Sequence, residues 1–194
     1  MPMDATDARL AFLSEAARLR EVERASRTGS GRRENSAEHS WHLALYAMAL
    51  GEEEAPDGVN VDRAIRMLLI HDLVEIDVGD VPLHGARPEN HDAAEDAAAE
   101  RIFGLLPGAQ GEALLALWRE FEAARTPDAR FAKALDRLQP VLLNLETGGG
   151  TWPDFNVGEA EVLARCGPPI ETGAPALWPR VRDRVKAHFT ALVG

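Results

Sequence analysis

A histidine and an aspartate stand side by side at His71 and Asp72, inside the stretch "LLIHDLVEIDVGD" (68–80), whose first residues are apolar. On a helix, positions three or four apart share a face, so Val61, Ile65 and Leu68 point the same way as Asp72 and Glu75, with His71 beside them. The chain thus aims an imidazole and two carboxylates where the preceding turns aim core residues. A buried carboxylate is costly unless it is protonated, paired with a cation or bound to a metal. No lysine or arginine occurs between Arg66 and Arg87 to pair locally. A divalent cation is the simplest remedy, with imidazole as a borderline ligand and carboxylate as a hard one. The competing reading is a helix end near Gly79 that leaves Glu75, Asp77 and Asp80 to water. Asp77, five residues from Asp72, falls on the opposite side and is expected in solvent. Asp80 follows Gly79, where the chain has left the helix and can turn a carboxylate back over a cleft.

Two distant segments offer further ligands. His39 falls in the first turn of a helix with a legible start, because Asn35 can cap it and Glu38 can reach back in a capping box. Asp136 lies in "FAKALDRLQP" (131–140), where Phe131, Leu135, Leu138 and Leu142 form an apolar stripe. Pro140 cannot donate to the carbonyl of Asp136, so the helix is expected to kink or end there. For Asp136 taken alone, a plain solvent-facing aspartate is the alternative.

The elements that must position these groups read as helices. Strand patterning is weak, aromatic content is 6%, and Ala, Leu, Glu and Arg dominate most windows. We expect an all-α single domain over residues 1–194, with a metal core at about 30–145 and C-terminal helices at 155–192 packing on it. The first helix is expected over 5–24, with Leu10, Leu13, Ala17 and Leu19 as its apolar positions. The second runs from the Asn35 cap to Gly51 with Trp41, Leu45 and Met48 on its apolar face, and the third runs from Asn60 or Asp62 to near Gly79. Others are expected near 89–105, 110–125, 128–145, 157–165 and 175–192, and "SRTGSGRR" and "ETGGGTWPDFN" are loops.

Bulk properties bound the function. A chain of 194 residues suits one domain, and 45% hydrophobic with 27% charged residues is the composition of a soluble globular protein. The formal net charge of -11 argues against binding a nucleic-acid polymer, yet leaves room for a small anion beside a few arginines. A single cysteine, Cys166, excludes an intramolecular disulfide and reads as a structural thiol in a reducing compartment. No signal-peptide pattern and no apolar run of membrane-spanning length is present, so a cytoplasmic protein away from the membrane is expected.

One His, a later His-Asp pair and a final Asp, here His39, His71 with Asp72, and Asp136, resemble the HD-domain phosphohydrolase superfamily. The stretches "RRENSAEHSWHLAL", "MLLIHDLVEIDVGD" and "RFAKALDRLQP" together look like a narrower bacterial branch related to the 5'-deoxynucleotidases, over most of the chain. The resemblance implies an HD-domain helical bundle with one divalent metal ion, manganese, cobalt or another transition metal, held by His39, His71, Asp72 and Asp136. It also implies functional acids at Glu75 and Asp80, and relatives of this kind often form homodimers. The nucleotidases carry an Arg-Trp pair upstream of the first ligand, whereas here Ala25 follows Arg24. Ile76 after Glu75 counts against guanosine-tetraphosphate hydrolysis, and the sole tyrosine, Tyr46, is in no Gly-Tyr-Pro signature.

The expected activity is removal of the 5'-phosphate from (deoxy)nucleoside monophosphates. The alternatives are another small phosphate ester or a nucleoside triphosphate as substrate, or a non-catalytic, metal-stabilised regulatory or assembly module. Glu75 would orient or deprotonate water, and Asp80 would be the alternative base or the acid for the departing sugar oxygen. From the group Arg24, Arg27, Arg32 and Arg33, we expect Arg24 and Arg33 to meet phosphate, because the planar guanidinium suits it. His42 is expected behind the site, Trp41 packed beneath it, Trp118, Trp152 and Trp178 in the core, and His84, His91 and His188 at the surface. Lys133 and Arg137 are expected as exposed charges or partners of carboxylates.

Overall fold

The Leu- and Ala-rich windows fold as helices around one long central helix. The computed structural model describes residues 4–192. Its α-helices are α1 (Ala5–Ala16), α2 (Ser36–Leu50), α3 (Val61–Ile70), the single turn α4 (Glu75–Val78), α5 (His91–Phe103), α6 (Ala109–Ala123), α7 (Pro127–Glu146), α8 (Glu159–Gly173) and α9 (Trp178–Ala191). Thr126 opens α7 by accepting from the Ala129 amide, and Pro127 stands in the first turn, where a missing N–H costs nothing. α7 packs against α2, α3, α6, α8 and α9. Among the described residues no helix is long and apolar enough to cross a membrane.

Two apolar clusters organise the molecule. The larger gathers Leu43, Met67, Leu68, Phe121, Phe131, Leu135, Leu138 and Ile170 around α7. The smaller joins Phe12, Leu19, Leu73, Val74, Ile102, Phe103 and Trp118. Met67 and Leu68 belong to the first cluster and Leu73 and Val74 to the second, so the chain crosses between cores at His71 and Asp72. That crossing explains a departure from the expected unbroken third helix. Ile70 leaves ideal helical geometry (φ -117°, ψ -8°), His71–Val74 form a tight 3-10 turn, and a separate helical turn follows to Gly79.

The N-terminal segment also differs from expectation. α1 stops at Ala16, a 3-10 turn covers Ala17–Glu21, and the chain then extends into strand β1 (Glu23–Arg27), antiparallel to β2 (Arg33–Asn35). "SRTGSGRR" is therefore mostly a hairpin, with Gly31 at φ +83° in its turn. α1 buries Ala8 and Phe12, while Leu10 and Leu13 face outward. Likewise α2 buries His39, Leu43 and Ala47, four residues apart, and exposes Trp41, Leu45 and Met48. Trp41 is 61% exposed and does not pack beneath the site.

Pro140 neither ends nor interrupts α7, which continues to Glu146. The expected helix at 157–165 extends to Gly173 through Pro168 and Pro169. Trp118, Trp152 and Trp178 are buried as expected, whereas His91 is buried rather than at the surface and His188 lies half-buried against Trp152.

Candidate metal centre and cleft

Three segments bring their polar groups to one place. The Asn35–Glu38 capping box forms, with the Glu38 amide donating to Asn35 Oδ1 at 3.0 Å, and sets His39 in the buried first turn of α2. The 3-10 turn supplies His71 and Asp72, and α7 supplies Asp136. His39 Nε2 lies 3.1 Å from Asp136 Oδ1, and His71 Nε2 lies 3.7 Å from that same oxygen. Asp72 reaches His71 Nε2 at 3.0 Å and His39 Nε2 at 4.0 Å. One ligand atom each from His39, His71 and Asp72 falls within 4.8 Å of the others.

The hydrogen bonds behind the imidazoles fix their tautomers. His71 Nδ1 lies 2.8 Å from the Leu68 carbonyl, which can only accept, so Nδ1 carries the proton. His39 Nδ1 lies 3.1 Å from Gln139 Oε1, and Gln139 Nε2 donates to Glu34 Oε1 at 2.8 Å, which settles the orientation of the amide. Both Nε2 atoms are thereby turned on carboxylate oxygens. His71 Nε2 is buried without a hydrogen-bond partner among the described residues. Two ligand nitrogens facing two carboxylates, with their far nitrogens donating to oxygen, is the donor set of a histidine–carboxylate metal site. The residues present fit a divalent cation.

Electrostatics point the same way. Burial, reinforced by the charge of Arg24, lowers the His39 pKa to about 4 and keeps that imidazole neutral. Burial opposes charge on His71 too, but Asp72 and Asp136 outweigh it and push its pKa up to about 10, so the pocket calls for a positive charge there. Asp72 is held below the carboxylate range: burial opposes its charge, and His71 and Arg24 overcome that opposition. Asp136 is lowered in the same way, by Arg137 and the two imidazoles.

Arg24 reaches this acidic group from β1. Its Nη1 lies 2.9 Å from Asp72, 3.3 Å from Asp80 and 3.7 Å from Glu75, and its Nε lies 3.7 Å from Glu34. The cation missing from residues 67–86 thus arrives through the hairpin. Burial opposes the Arg24 charge, but Asp72, Glu75 and Asp80 raise its pKa above the ordinary value. Glu75 accepts from Ser36 Oγ at 2.5 Å, and burial followed by Asp72 raises its pKa well above 4.5. Asp80 is also raised, by burial, against the pull of Arg24. Asp77 points away, as expected, and pairs with Arg101 at 2.6 Å.

A cavity of about 350 Å³ opens over His71, Asp72, Glu75, Asp80, Asp136 and Arg24 and continues between the segment after Asp80 and helices α7 and α8. Arg33 is exposed on β2 and does not line it. His84 does line it, beside Glu161 at 3.4 Å. His42 touches the Gln139 amide rather than the ligand atoms. The sequence reading missed Glu34, Ser36 and Gln139. Gln139 and Ser36 carried a signal: Gln139 stands three residues after Asp136 and Ser36 three before His39, so each shares a ligand's helix face.

Fold and site together define a helical protein built around a buried histidine–aspartate centre. The chain belongs to the HD domain family, whose model matches residues 16–178. It is similar to the 5'-deoxynucleotidase HDDC2 of Homo sapiens, 32% identical over 130 residues, 64% of this chain and 62% of that protein. The 5'-deoxynucleotidase hdd1 of Schizosaccharomyces pombe is 26% identical over 56% of this chain and 55% of its own length. The chain thus spans less than two thirds of these curated relatives. Among solved structures, a predicted metal-dependent phosphohydrolase from Magnetospirillum magnetotacticum MS-1 superposes with a TM-score of 0.90 at 44% identity, over 97% of this chain and 94% of that one.

Proposed function

We propose that this protein is a metal-dependent phosphohydrolase that removes the 5'-phosphate from deoxynucleoside monophosphates, with His39, His71, Asp72 and Asp136 as the ligands of one divalent ion. The observation that carries the reading is the pair of imidazole Nε2 atoms facing Asp72 and Asp136, with His71 and both aspartates lining a cavity that also holds Glu75 and Asp80, and His39 buried behind them. The nucleotide class rests on the names of the HDDC2 and hdd1 relatives.

When bound, a divalent ion supplies positive charge for phosphoryl oxygens and lowers the pKa of water. The rest falls to the chain's own side chains. Glu75, raised toward neutrality by burial and Asp72 and oriented by Ser36, takes the proton of the attacking water. Asp80, also raised, delivers a proton to the departing sugar oxygen. Arg24, surrounded by Glu34, Asp72, Glu75 and Asp80, holds these acids in register.

The test is phosphate release from deoxyribo- and ribonucleoside mono- and triphosphates with added manganese or cobalt. Deoxynucleoside monophosphates should yield nucleoside and inorganic phosphate, and chelation should stop the reaction. Triphosphate released intact from nucleoside triphosphates, or no turnover on the whole panel, would overturn the proposal.

A further inference from the structure

Five cations line the cavity: Arg24, Arg87, Lys133, Arg137 and Arg165. Four of them each have at least one protein oxygen within 3.0 Å. Arg24 is surrounded by carboxylates, Arg87 pairs with Asp92 and Glu95, and Lys133 contacts Glu122 at 2.9 Å and lies over the Phe121 ring. Arg165 donates to the Leu83 carbonyl at 2.5 Å and faces Glu161 at 3.3 Å. Arg137 differs, because among the described residues its one ion pair is Nη1 to Asp136 Oδ2 at 3.5 Å, beyond good hydrogen-bond length.

A guanidinium carries five N–H donors in a fixed fork. With its side chain one-third exposed and lining the cavity, Arg137 keeps that fork without a close partner among the described residues, beside the carboxylate whose other oxygen faces both imidazoles. It shares the cavity wall with His84 of the segment after Asp80 and with Cys166 of α8.

We infer that Arg137 is the residue that binds the substrate's phosphate group, in place of the hairpin arginines Arg24 and Arg33. The inference rests on the phosphohydrolase reading above and assigns its anion subsite. Among the described residues, the one cavity guanidinium with no protein oxygen within 3.0 Å matches one phosphate group.

The experiment is calorimetric titration of inorganic phosphate into metal-loaded wild type, Arg137→Ala, Arg137→Lys and the surface control Arg119→Ala, alongside steady-state kinetics on the best monophosphate. Loss of charged hydrogen bonds predicts phosphate affinity weakened by on the order of tenfold to a hundredfold in Arg137→Ala. The expected kinetic signature is a raised KM, partial recovery in Arg137→Lys and wild-type behaviour in Arg119→Ala. Helicity and metal content measured on each variant confirm that the frame stands, and Arg137→Lys carries the test if the alanine variant does not fold. Phosphate affinity within twofold of wild type in both Arg137 variants overturns the inference, as does absence of phosphate binding by the wild type. Because the titration needs no turnover, a protein that binds phosphate through Arg137 yet hydrolyses nothing in the panel sinks the proposed activity and leaves this assignment standing.

Discussion

His39 Nδ1 and Gln139 Oε1 lie 3.1 Å apart at a point where neither side chain has solvent access, although a hundred residues separate them in sequence. Gln139 in turn donates to Glu34. The amide therefore sets which nitrogen of His39 is free to bind a cation. Gln139→Leu should keep the helical content and lower cobalt affinity by about tenfold to a hundredfold in a chelator competition. An affinity within twofold of wild type would show that the amide has no such part.

In its proposed role as base, Glu75 trades stability for chemistry. Its folded pKa is raised above the ordinary 4.5, first by burial and then by Asp72. Its neutral form is the one the fold favours, so its stabilising contribution is complete below about pH 4.5 and is lost as pH rises through the elevated folded value. Glu75→Gln should therefore raise the melting temperature of the metal-free protein at pH 8 by about 2–4 °C, with the gain shrinking toward pH 4.5. Turnover should fall by about a hundredfold to ten-thousandfold. A variant that melts lower at pH 8 and keeps its activity contradicts both halves.

Cys166 tests the interior around α8. Burial pushes its thiol from 9.0 up to about 11. The protonated thiol is favoured in the fold, so its contribution is intact below pH 9 and is lost as pH climbs through about 11. A thiol reagent at pH 8 should leave the native protein unlabelled and label one site per chain after unfolding. Rapid labelling of the native state would place this residue at the surface.

Gly173 lets α8 lie close against α7: an added Cβ would overlap the Arg130 carbonyl and press on the Ala134 methyl. Gly173→Ala should cost about 1–3 kcal/mol in chemical denaturation. An unchanged midpoint would mean that the two helices stand further apart.

Much of this was legible beforehand. The capping box ahead of His39, the apolar run leading into His71 and Asp72, and the outward turn of Asp77 follow from helical spacing, and the structure repeats them. The break at Ile70 was not legible, because it comes from the chain passing between two apolar clusters, which is a tertiary event. The hairpin that carries Arg24 and Glu34 inward was hidden for a related reason. Its strands are short and charged, and buried carboxylates hold Arg24 rather than any local strand pattern. The second helix misled through Trp41, Leu45 and Met48, whose spacing imitates a core face while the polar His39 occupies the real one.

Metal content is the most direct measure of the central idea, that three separated segments close on one divalent ion. The protein should be stripped, reloaded with cobalt, freed of excess and analysed by element analysis and visible absorption, beside His71→Ala and Asp136→Ala. The account predicts about one equivalent per chain in the wild type, with a ligand-field spectrum that both variants lose. Wild-type protein that retains no cobalt, or an Asp136→Ala variant that keeps the full equivalent and an unchanged spectrum, would contradict it.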